Sequence, residues 1–303
     1  MATKLKLGTR GSKLALVQAE WVRAQLLSAH PGLDIDLVVI KTSGDRASQL
    51  GIFDEDRTKA LFVKEIEEAL LLGEIDFGVH STKDLPADLP SGLEIVAYPI
   101  RESPWDVMVL PRGKKMAELS SPALIGTSSL RRQLQLRRFR PDVQFAPSHG
   151  NVDTRLKKLE SGEFSALVLA EAGLKRLGLR NQVNAEVCRE MVPAPGQGAL
   201  AVEARIDRSD LKPIFSSLDH PETRRQVEAE RILMRLLGGG CRVPFGALAE
   251  LGTQEIRMAV FWCDPAGKNP IFLQEKISLE PKKMLLEMKN LVKRIREESS
   301  PKK

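Results

Sequence analysis

Three stretches of the sequence contain residues whose types and spacing could support chemistry. In the first, Leu237–Phe245, three glycines precede Cys241 and Arg242. Glycines end helices and permit backbone angles that other residues avoid. A thiol on such a loop, beside a cation, is favoured as a thiolate and could carry a group covalently. The alternative is a buried, inert thiol, because free cysteine often behaves as a small hydrophobic residue.

The second stretch, Gly126–Arg132, follows a predicted strand and opens a predicted helix. N–H groups, hydroxyls and two guanidinium groups therefore converge at a helix N-terminus, which predicts an anion site. The alternative is a capped helix with solvated arginines. However, cations in a first helical turn oppose the helix dipole, so the placement of Arg131 and Arg132 requires an explanation. Other predicted strand ends that bring basic groups to the same side carry Arg10 and Ser12, His149 and Arg155, and Lys175 and Arg176.

The third stretch, Val79–Pro86, places Lys83 and Asp84 at another strand end. A carboxylate there can hydrogen-bond a developing cationic N–H group and move a proton. The alternative is that Asp84 caps a loop before the proline. We expect His80 to pack beneath the sheet, and the four histidines lack metal-ligand spacing, so no metal site is predicted.

Composition describes an ordinary globular chain of 303 residues with a net charge of +6. Residues 126–180 contain 11 basic and 5 acidic residues, so this one segment matches the whole surplus and implies an anionic partner. The three cysteines share no CxxC spacing, which fits a reducing cytoplasm rather than a disulfide framework. We find neither a secretory signal nor a membrane-spanning stretch. A cytoplasmic monomer is expected.

Strands alternating with helices predict an α/β fold with two doubly wound lobes, a two-lobed clamp like that of type II periplasmic binding proteins. Crossovers are expected near Pro99–Pro104 and Pro193–Gly198, and a loop over Thr42–Lys59. A final order of helix, three strands and helix predicts a small α+β domain. The predicted domains are residues 1–99 with 199–216, residues 104–194, and residues 217–303.

The ordered motifs GTRGSKLAL, LFVKE, VHSTKDLP, GTSSLRRQ, GNVDTRL, AGLKRLG, PAPGQGA and GGGCRVPFG resemble those of the porphobilinogen deaminase (hydroxymethylbilane synthase) family. The resemblance spans about Leu7 to Gly246. It implies a transferase of tetrapyrrole biosynthesis that joins four porphobilinogen molecules head to tail into hydroxymethylbilane, with release of four ammonia. Its primer would be a dipyrromethane cofactor, made from the same substrate and held by a thioether.

The resemblance also implies roles for individual residues. Cys241 matches the cofactor-attachment cysteine, Asp84 the catalytic carboxylate, and Lys59 with the loop before it the mobile lid. Positions implied to bind the cofactor are Ser81, Lys83, Thr127, Ser129, Arg131, Arg132 and Arg155. Positions implied to bind the substrate are Arg10, Ser12, Gln18, His149, Arg155 and Arg176.

One position departs from the family pattern, which usually has arginine where this chain has His149. Histidine is only partly charged near pH 7 and lacks the forked donor geometry of arginine, so we expect a weaker carboxylate contact. Two other functions would also fit this basic sequence: a non-catalytic two-lobed binding protein for a polycarboxylate, and a nucleic-acid-binding protein. Against the second, only one aromatic residue, Phe139, interleaves the run Arg131–Arg140 that would bind nucleic acid. We expect the far end of that run, Arg137–Arg140, to be a solvated helix face.

Overall fold

The computed structural model describes residues 3–44, 55–238, 243–264 and 266–299, with the backbone alone at residues 3 and 55–61. The strands in this part of the chain are β1 (Thr3–Arg10), β2 (Leu33–Ile40), β3 (Phe77–Ser81), β4 (Leu93–Ala97), β5 (Asp106–Leu110), β6 (Leu124–Gly126), β7 (Gln144–Ala146), β8 (Ala166–Ala170), β9 (Asn184–Val187), β10 (Leu200–Arg205), β11 (Phe245–Leu251), β12 (Glu255–Trp262) and β13 (Ile271–Ser278). The α-helices are α1 (Lys13–Ala29), α2 (Glu55–Leu71), α3 (Leu130–Phe139), α4 (Val152–Glu160), α5 (Glu171–Arg176), α6 (Lys212–Ser216), α7 (Pro221–Leu236) and α8 (Pro281–Ser299).

The first lobe is built on a mixed five-stranded sheet of order β2-β1-β3-β10-β4. β1 runs parallel to β2 and β3, whereas β10 runs antiparallel to β3 and β4. Helix α1 follows Ser12, whose side chain accepts the cap hydrogen bond from Ala15 N. The helix buries Val22 and Leu26 in one core cluster with Phe77 and Phe215, whose rings meet edge to face.

The second lobe repeats this plan with the strand order β7-β6-β8-β5-β9. β6 is parallel to β7 and β8, and β5 is antiparallel to β8 and β9. The fully buried strand β5 has the predicted bounds. Edge strand β9 and the short helix α6 were not predicted. Every residue of β9 is only partly buried, so its sequence lacks the apolar signature of a central strand.

Two linkers cross between the lobes and pack directly on each other. Gly198 in the second linker has φ +86°, and a Cβ there would lie 2.3 Å from the carbonyl oxygen of Glu102 and 2.6 Å from that of Ser103 in the first linker. Only glycine meets both conditions, because it has no Cβ and readily adopts positive φ. The two crossings therefore form one joint at this point.

The third sheet, β11-β12-β13, is antiparallel and is covered on one face by α7 and α8. These elements share a separate hydrophobic core that contains Leu233, Val260, Met288 and Ile295. Two α/β lobes with an additional α+β unit confirm the predicted fold class. Among the described residues, no helix is long and apolar enough to cross a membrane.

Two predictions about local structure were wrong. Helix α2 begins at Glu55, so the loop predicted over Thr42–Lys59 ends earlier than expected. The rest of that loop, residues 45–54, lies outside the described residues. The run Arg137–Arg140 is not simply a solvated face, because Arg138 stacks on the ring of Phe272 in β13 at 4.4 Å.

Candidate functional site

The loop between β6 and α3 is fixed at the helix N-terminus by two hydrogen bonds that Thr127 accepts. Ser129 N donates to Thr127 Oγ1 at 3.2 Å, and Gln133 Nε2 donates to Thr127 O at 3.1 Å. The hydroxyl of Ser128 is buried, and no described residue forms a hydrogen bond with it. A buried hydroxyl without a partner is costly, so this atom indicates a place where a polar ligand group or water is required.

Arg131 and Arg132 are buried, with 6% and 8% of their surface exposed, and both face the carboxylate of Asp106. Arg132 donates from Nε and Nη2 to Asp106 Oδ1 at 3.0 and 2.7 Å. Arg131 Nη2 forms an ion pair with Asp106 Oδ2 at 2.8 Å, although the two atoms are not aligned as a hydrogen bond. This carboxylate explains how two cations are tolerated in a first helical turn. The alternative of solvated arginines was wrong.

Sequence analysis missed Asp106, which is fully buried at the start of β5. Burial opposes ionisation of this carboxyl, but the charges of Arg131 and Arg132 and a hydrogen bond from Gln197 hold its pKa well below the ordinary value. It is therefore a carboxylate at any physiological pH. The available signal was an acidic residue that opens the otherwise apolar strand DVMVL.

The turn that follows β3 carries Asp84 at the end of a short 3-10 helix, Thr82–Asp84. Asp84 is half-buried, and no hydrogen bond or ion pair joins it to another described residue. The turn rests on the second linker, since a Cβ on Gly196 would lie 2.7 Å from the Thr82 side chain. Asp84 is thus a carboxylate held by its backbone and available to a ligand.

Two other predicted residues of the first lobe are joined to each other beside this turn. Gln18 is buried on α1, and its Nε2 donates to Ser81 Oγ at 3.1 Å. Arg10, at the end of β1, stacks on the ring of Phe62 in α2 at 3.8 Å. These contacts connect the ends of β1 and β3 to the helices on either side. Lys83 is half-buried in the same turn.

In the second lobe, the loop between β7 and α4 carries Ser148, His149 and Arg155. Gly150 has φ +99°, and Arg155 Nε donates to its carbonyl oxygen at 2.8 Å, which fixes the guanidinium against the loop. His149 is half-buried, and the buried Ser148 hydroxyl has no hydrogen-bond partner. A second strand end of this lobe therefore combines a fixed arginine with a buried hydroxyl that requires a partner.

The guanidinium of Arg176 is attached to the second linker, because its Nη2 donates to Gly198 O at 2.6 Å. Burial lowers the pKa of Arg176 to about 10, an effect that the charge of Glu102 partly offsets. The neighbouring Lys175 pairs with Glu102 in the first linker at 2.8 Å. Basic groups of the second lobe thus reach both linkers.

Two of the three cysteines lie among the described residues. Cys188 and Cys263 are free and buried. Burial, with the nearby charges of Asp106 and Asp264, raises the pKa of Cys188 to about 12 and that of Cys263 to about 11. Cys241 lies outside the described residues, as does the Lys59 side chain. Within the described residues, no group of three or more His, Cys, Asp or Glu side chains could hold a metal ion.

These observations define a two-lobed α/β protein whose strand ends present arginines, hydroxyls and the carboxylate of Asp84, which has no partner among the described residues. Residues 5–213 match the family described as porphobilinogen deaminase, dipyromethane cofactor binding domain, and residues 224–298 match its C-terminal domain. The chain belongs to the porphobilinogen deaminase family.

Curated relatives match over most of their length. The chain is 44% identical over 273 residues to a porphobilinogen deaminase of Geotalea daltonii, covering 89% of this chain and 85% of the relative. It is 48% identical over 249 residues to one of Desulforudis audaxviator, covering 82% and 80%. Among solved structures, the methionine-binding protein MetQ is similar with a TM-score of 0.47 and 14% identity, over 73% of this chain and 92% of that one.

The family domain is named for a dipyrromethane, a ligand with several carboxylates, and the described residues fit such a group. The unpartnered hydroxyls of Ser128 and Ser148 can donate to carboxylate oxygens. Arg132 keeps N–H groups besides those that bind Asp106 and Val168 O, since a guanidinium has five. Hydrogen bonds to Asp106 and to Gly150 O fix the orientation of the Arg132 and Arg155 guanidinium groups.

Proposed function

We propose that this protein joins four porphobilinogen molecules head to tail into hydroxymethylbilane, releasing four ammonia. The observation that carries this proposal is the match to both family domains, over residues 5–213 and 224–298. The unpartnered carboxylate of Asp84 supports a catalytic role rather than binding alone. We also propose that the protein acts as a cytoplasmic monomer.

The proposed cofactor attachment is a thioether at Cys241. The other two thiols are poor candidates, because Cys188 and Cys263 are buried and their raised pKa values disfavour the nucleophilic thiolate. When bound, the dipyrromethane would supply the free α-carbon to which the first substrate ring is joined. The residues proposed to hold it are Ser81, Lys83, Thr127, Ser129, Arg131, Arg132 and Arg155.

Asp84 is the proposed catalytic residue. Loss of ammonia from porphobilinogen leaves positive charge on the pyrrole ring, and a carboxylate beside the ring N–H stabilises that charge. The same carboxylate can accept a proton when the ring returns to neutrality. Among the described residues nothing binds this carboxylate, so no hydrogen bond to them has to be broken first.

The substrate carries an acetate and a propionate, for which the proposed contacts come from both lobes. Arg10 and Arg176 are the proposed substrate contacts at the edges of the lobes. Arg155 would contact both the substrate and the cofactor. Ser12 and Gln18 are also proposed substrate contacts at this edge, where Ser12 caps α1 and Gln18 is joined to Ser81. His149 would make the contact that arginine makes in other family members, and Lys59 would belong to a lid.

The proposed domain boundaries remain residues 1–99 with 199–216, residues 104–194, and residues 217–303. Return of β10 to the first sheet supports the discontinuous first domain. The buried Glu230 of α7 accepts from Arg101 in the first linker and from Gly196 N in the second. The third domain is therefore attached at the joint between the lobes, which suits a role in presenting Cys241 to the cleft.

Intact-protein mass spectrometry tests the proposal. We expect a mass excess of about two linked pyrrole units on the purified protein, lost in Cys241→Ser and kept in the matched variants Cys188→Ser and Cys263→Ser. Asp84→Asn should keep the excess but turn over about 10²–10⁴-fold more slowly. An unmodified chain that still makes tetrapyrrole would contradict the proposal.

A further inference from the structure

The two arginines proposed to bind the cofactor are oriented by the chain itself. Each is fixed from two directions: both contact the carboxylate of Asp106, and each donates to a main-chain carbonyl. Arg131 Nη1 donates to Val192 O at 2.7 Å, and Arg132 Nη1 donates to Val168 O at 3.0 Å. The orientations of the two guanidinium groups are thus set by Asp106 and two main-chain carbonyls.

Asp106 is also connected to both linkers. It directly follows the first linker, in which Pro104 lies two residues earlier. From the second linker, Gln197 donates its single amide nitrogen to Pro104 O at 2.7 Å and to Asp106 Oδ1 at 3.0 Å. Gln197 is 1% exposed and Asp106 is 0% exposed, so water does not compete for these bonds.

We infer that Asp106 is a positioning residue: it orients Arg131 and Arg132 toward the carboxylates of the ligand and, through Gln197, ties both guanidinium groups to the joint between the lobes. This inference rests on the proposed function, which supplies the ligand. Asp106 itself faces the arginines and is not assigned to touch substrate or cofactor.

Simple electrostatics makes the opposite prediction, which allows a decisive test. A carboxylate near an anion site repels the anion, so its neutralisation should strengthen ligand binding if Asp106 contributes only charge. If Asp106 positions the arginines, its neutralisation should weaken binding even though the site becomes more positive. The sign of the change separates the two roles.

The test compares wild type with Asp106→Asn, which keeps the side-chain shape and removes the charge. Each protein is purified after expression under limiting porphobilinogen, and the cofactor-bearing fraction is read from the intact mass. We expect this fraction to fall in Asp106→Asn, and KM for porphobilinogen to rise about tenfold in the loaded molecules, with a smaller change in kcat.

Glu203→Gln is the matched control, because Glu203 is equally buried but faces His80 in the first lobe. It should lower Tm without changing cofactor loading or KM. If Asp106→Asn loads as well as wild type with an unchanged or lower KM, the inference is overturned. If wild type itself carries no cofactor, the proposed function fails instead.

A second variant keeps the inference testable if Asp106→Asn does not fold. Gln197→Leu removes the bond from the second linker but leaves both ion pairs intact. We expect KM to rise about threefold in Gln197→Leu alone. Where Asp106→Asn does fold, the double variant should be less than additive, because the two residues share one network. Full additivity, or wild-type KM in Gln197→Leu, would refute the connection to the joint.

Discussion

The guanidinium of Arg101 and the carboxylate of Glu230 form a two-pronged pair, with Nη1 2.7 Å from Oε1 and Nη2 3.1 Å from Oε2. Glu230 is fully buried and also accepts from Gly196 N at 2.6 Å and Ala249 N at 2.9 Å. One carboxylate therefore binds the first linker, the second linker and the third sheet. Few other contacts join three parts of the described chain at a single side chain.

Removal of this carboxylate should be strongly destabilising. Glu230→Leu leaves Arg101 buried without its charge partner and two backbone N–H groups without acceptors, so we expect the free energy of unfolding to fall by about 3–5 kcal/mol. Urea denaturation followed by circular dichroism measures it. Lys276→Met breaks an exposed pair with Glu255 and should change stability by no more than about 0.5 kcal/mol. Similar losses in both variants would contradict the assigned importance of Glu230.

Gly198→Ala should separate the linkers at their closest approach. Its Cβ would overlap the Glu102 carbonyl oxygen, so the first linker must shift in addition to the strain at positive φ. We expect the free energy of unfolding to fall by more than the ~1–3 kcal/mol that backbone strain alone costs, and we expect turnover to be slower. Gly178→Ala is the matched control, since Gly178 has φ +70° but no atom within 4 Å of the added Cβ. Equal losses for the two variants would show that only φ strain matters.

Glu67 should make stability fall as pH rises. Burial, aided by the charge of Glu203 and opposed by that of His80, raises the pKa of Glu67 from 4.5 to about 7. Between these values the folded state binds more protons than the unfolded state, so stability declines from about pH 4.5 to pH 7 and then levels off.

Glu67→Gln removes this titration. We expect it to be more stable than wild type by up to about 3 kcal/mol at pH 8 and indistinguishable at pH 4.5. Thermal unfolding across this range measures the difference. The exposed Glu68→Gln, on the same helix, should show no such trend. A constant difference between Glu67→Gln and wild type at all pH values would rule out the titration of Glu67.

His149 should make turnover sensitive to pH. An ordinary histidine loses its charge as pH rises above about 6.5, whereas arginine stays charged. Initial rates between pH 6.5 and 8.5 should therefore fall for wild type relative to His149→Arg, with the largest gap at the alkaline end. An identical rate and pH profile for the two proteins would eliminate a carboxylate contact at His149.

The sequence predicted most elements because their patterns are local. The cap at Ser12, the apolar strand DVMVL and the glycine before α3 each depend on neighbours in the chain. Asp106 was missed because its importance comes from Arg131, Arg132 and Gln197, which are distant in sequence and meet only when the lobe folds. The same holds for Glu230, which looks like an ordinary charged residue on an amphipathic helix until its partners are known.

The sequence left two interpretations of Arg131 and Arg132, an anion site and solvated side chains, for the same reason. Helix position showed that Arg131 and Arg132 oppose the dipole, but the compensating group lies 25 residues earlier in the chain for Arg131 and 26 for Arg132. Arg138 was expected to be solvated because Phe272, its stacking partner, belongs to the third sheet. Local pattern identifies where a charge sits, and only tertiary structure identifies what neutralises it.

Strand β11 packs against residues at the start of the second linker. Ala247 N donates to Pro193 O at 3.0 Å, and a Cβ on Gly246 would lie 2.7 Å from Val192 O. Val192 O is the acceptor that also receives Arg131. Cys241 precedes β11 by only four residues. If the thioether proposed at Cys241 forms, displacement of the tethered chain would pass along the backbone to the strand that packs on this carbonyl, and from there by non-covalent contact to Arg131.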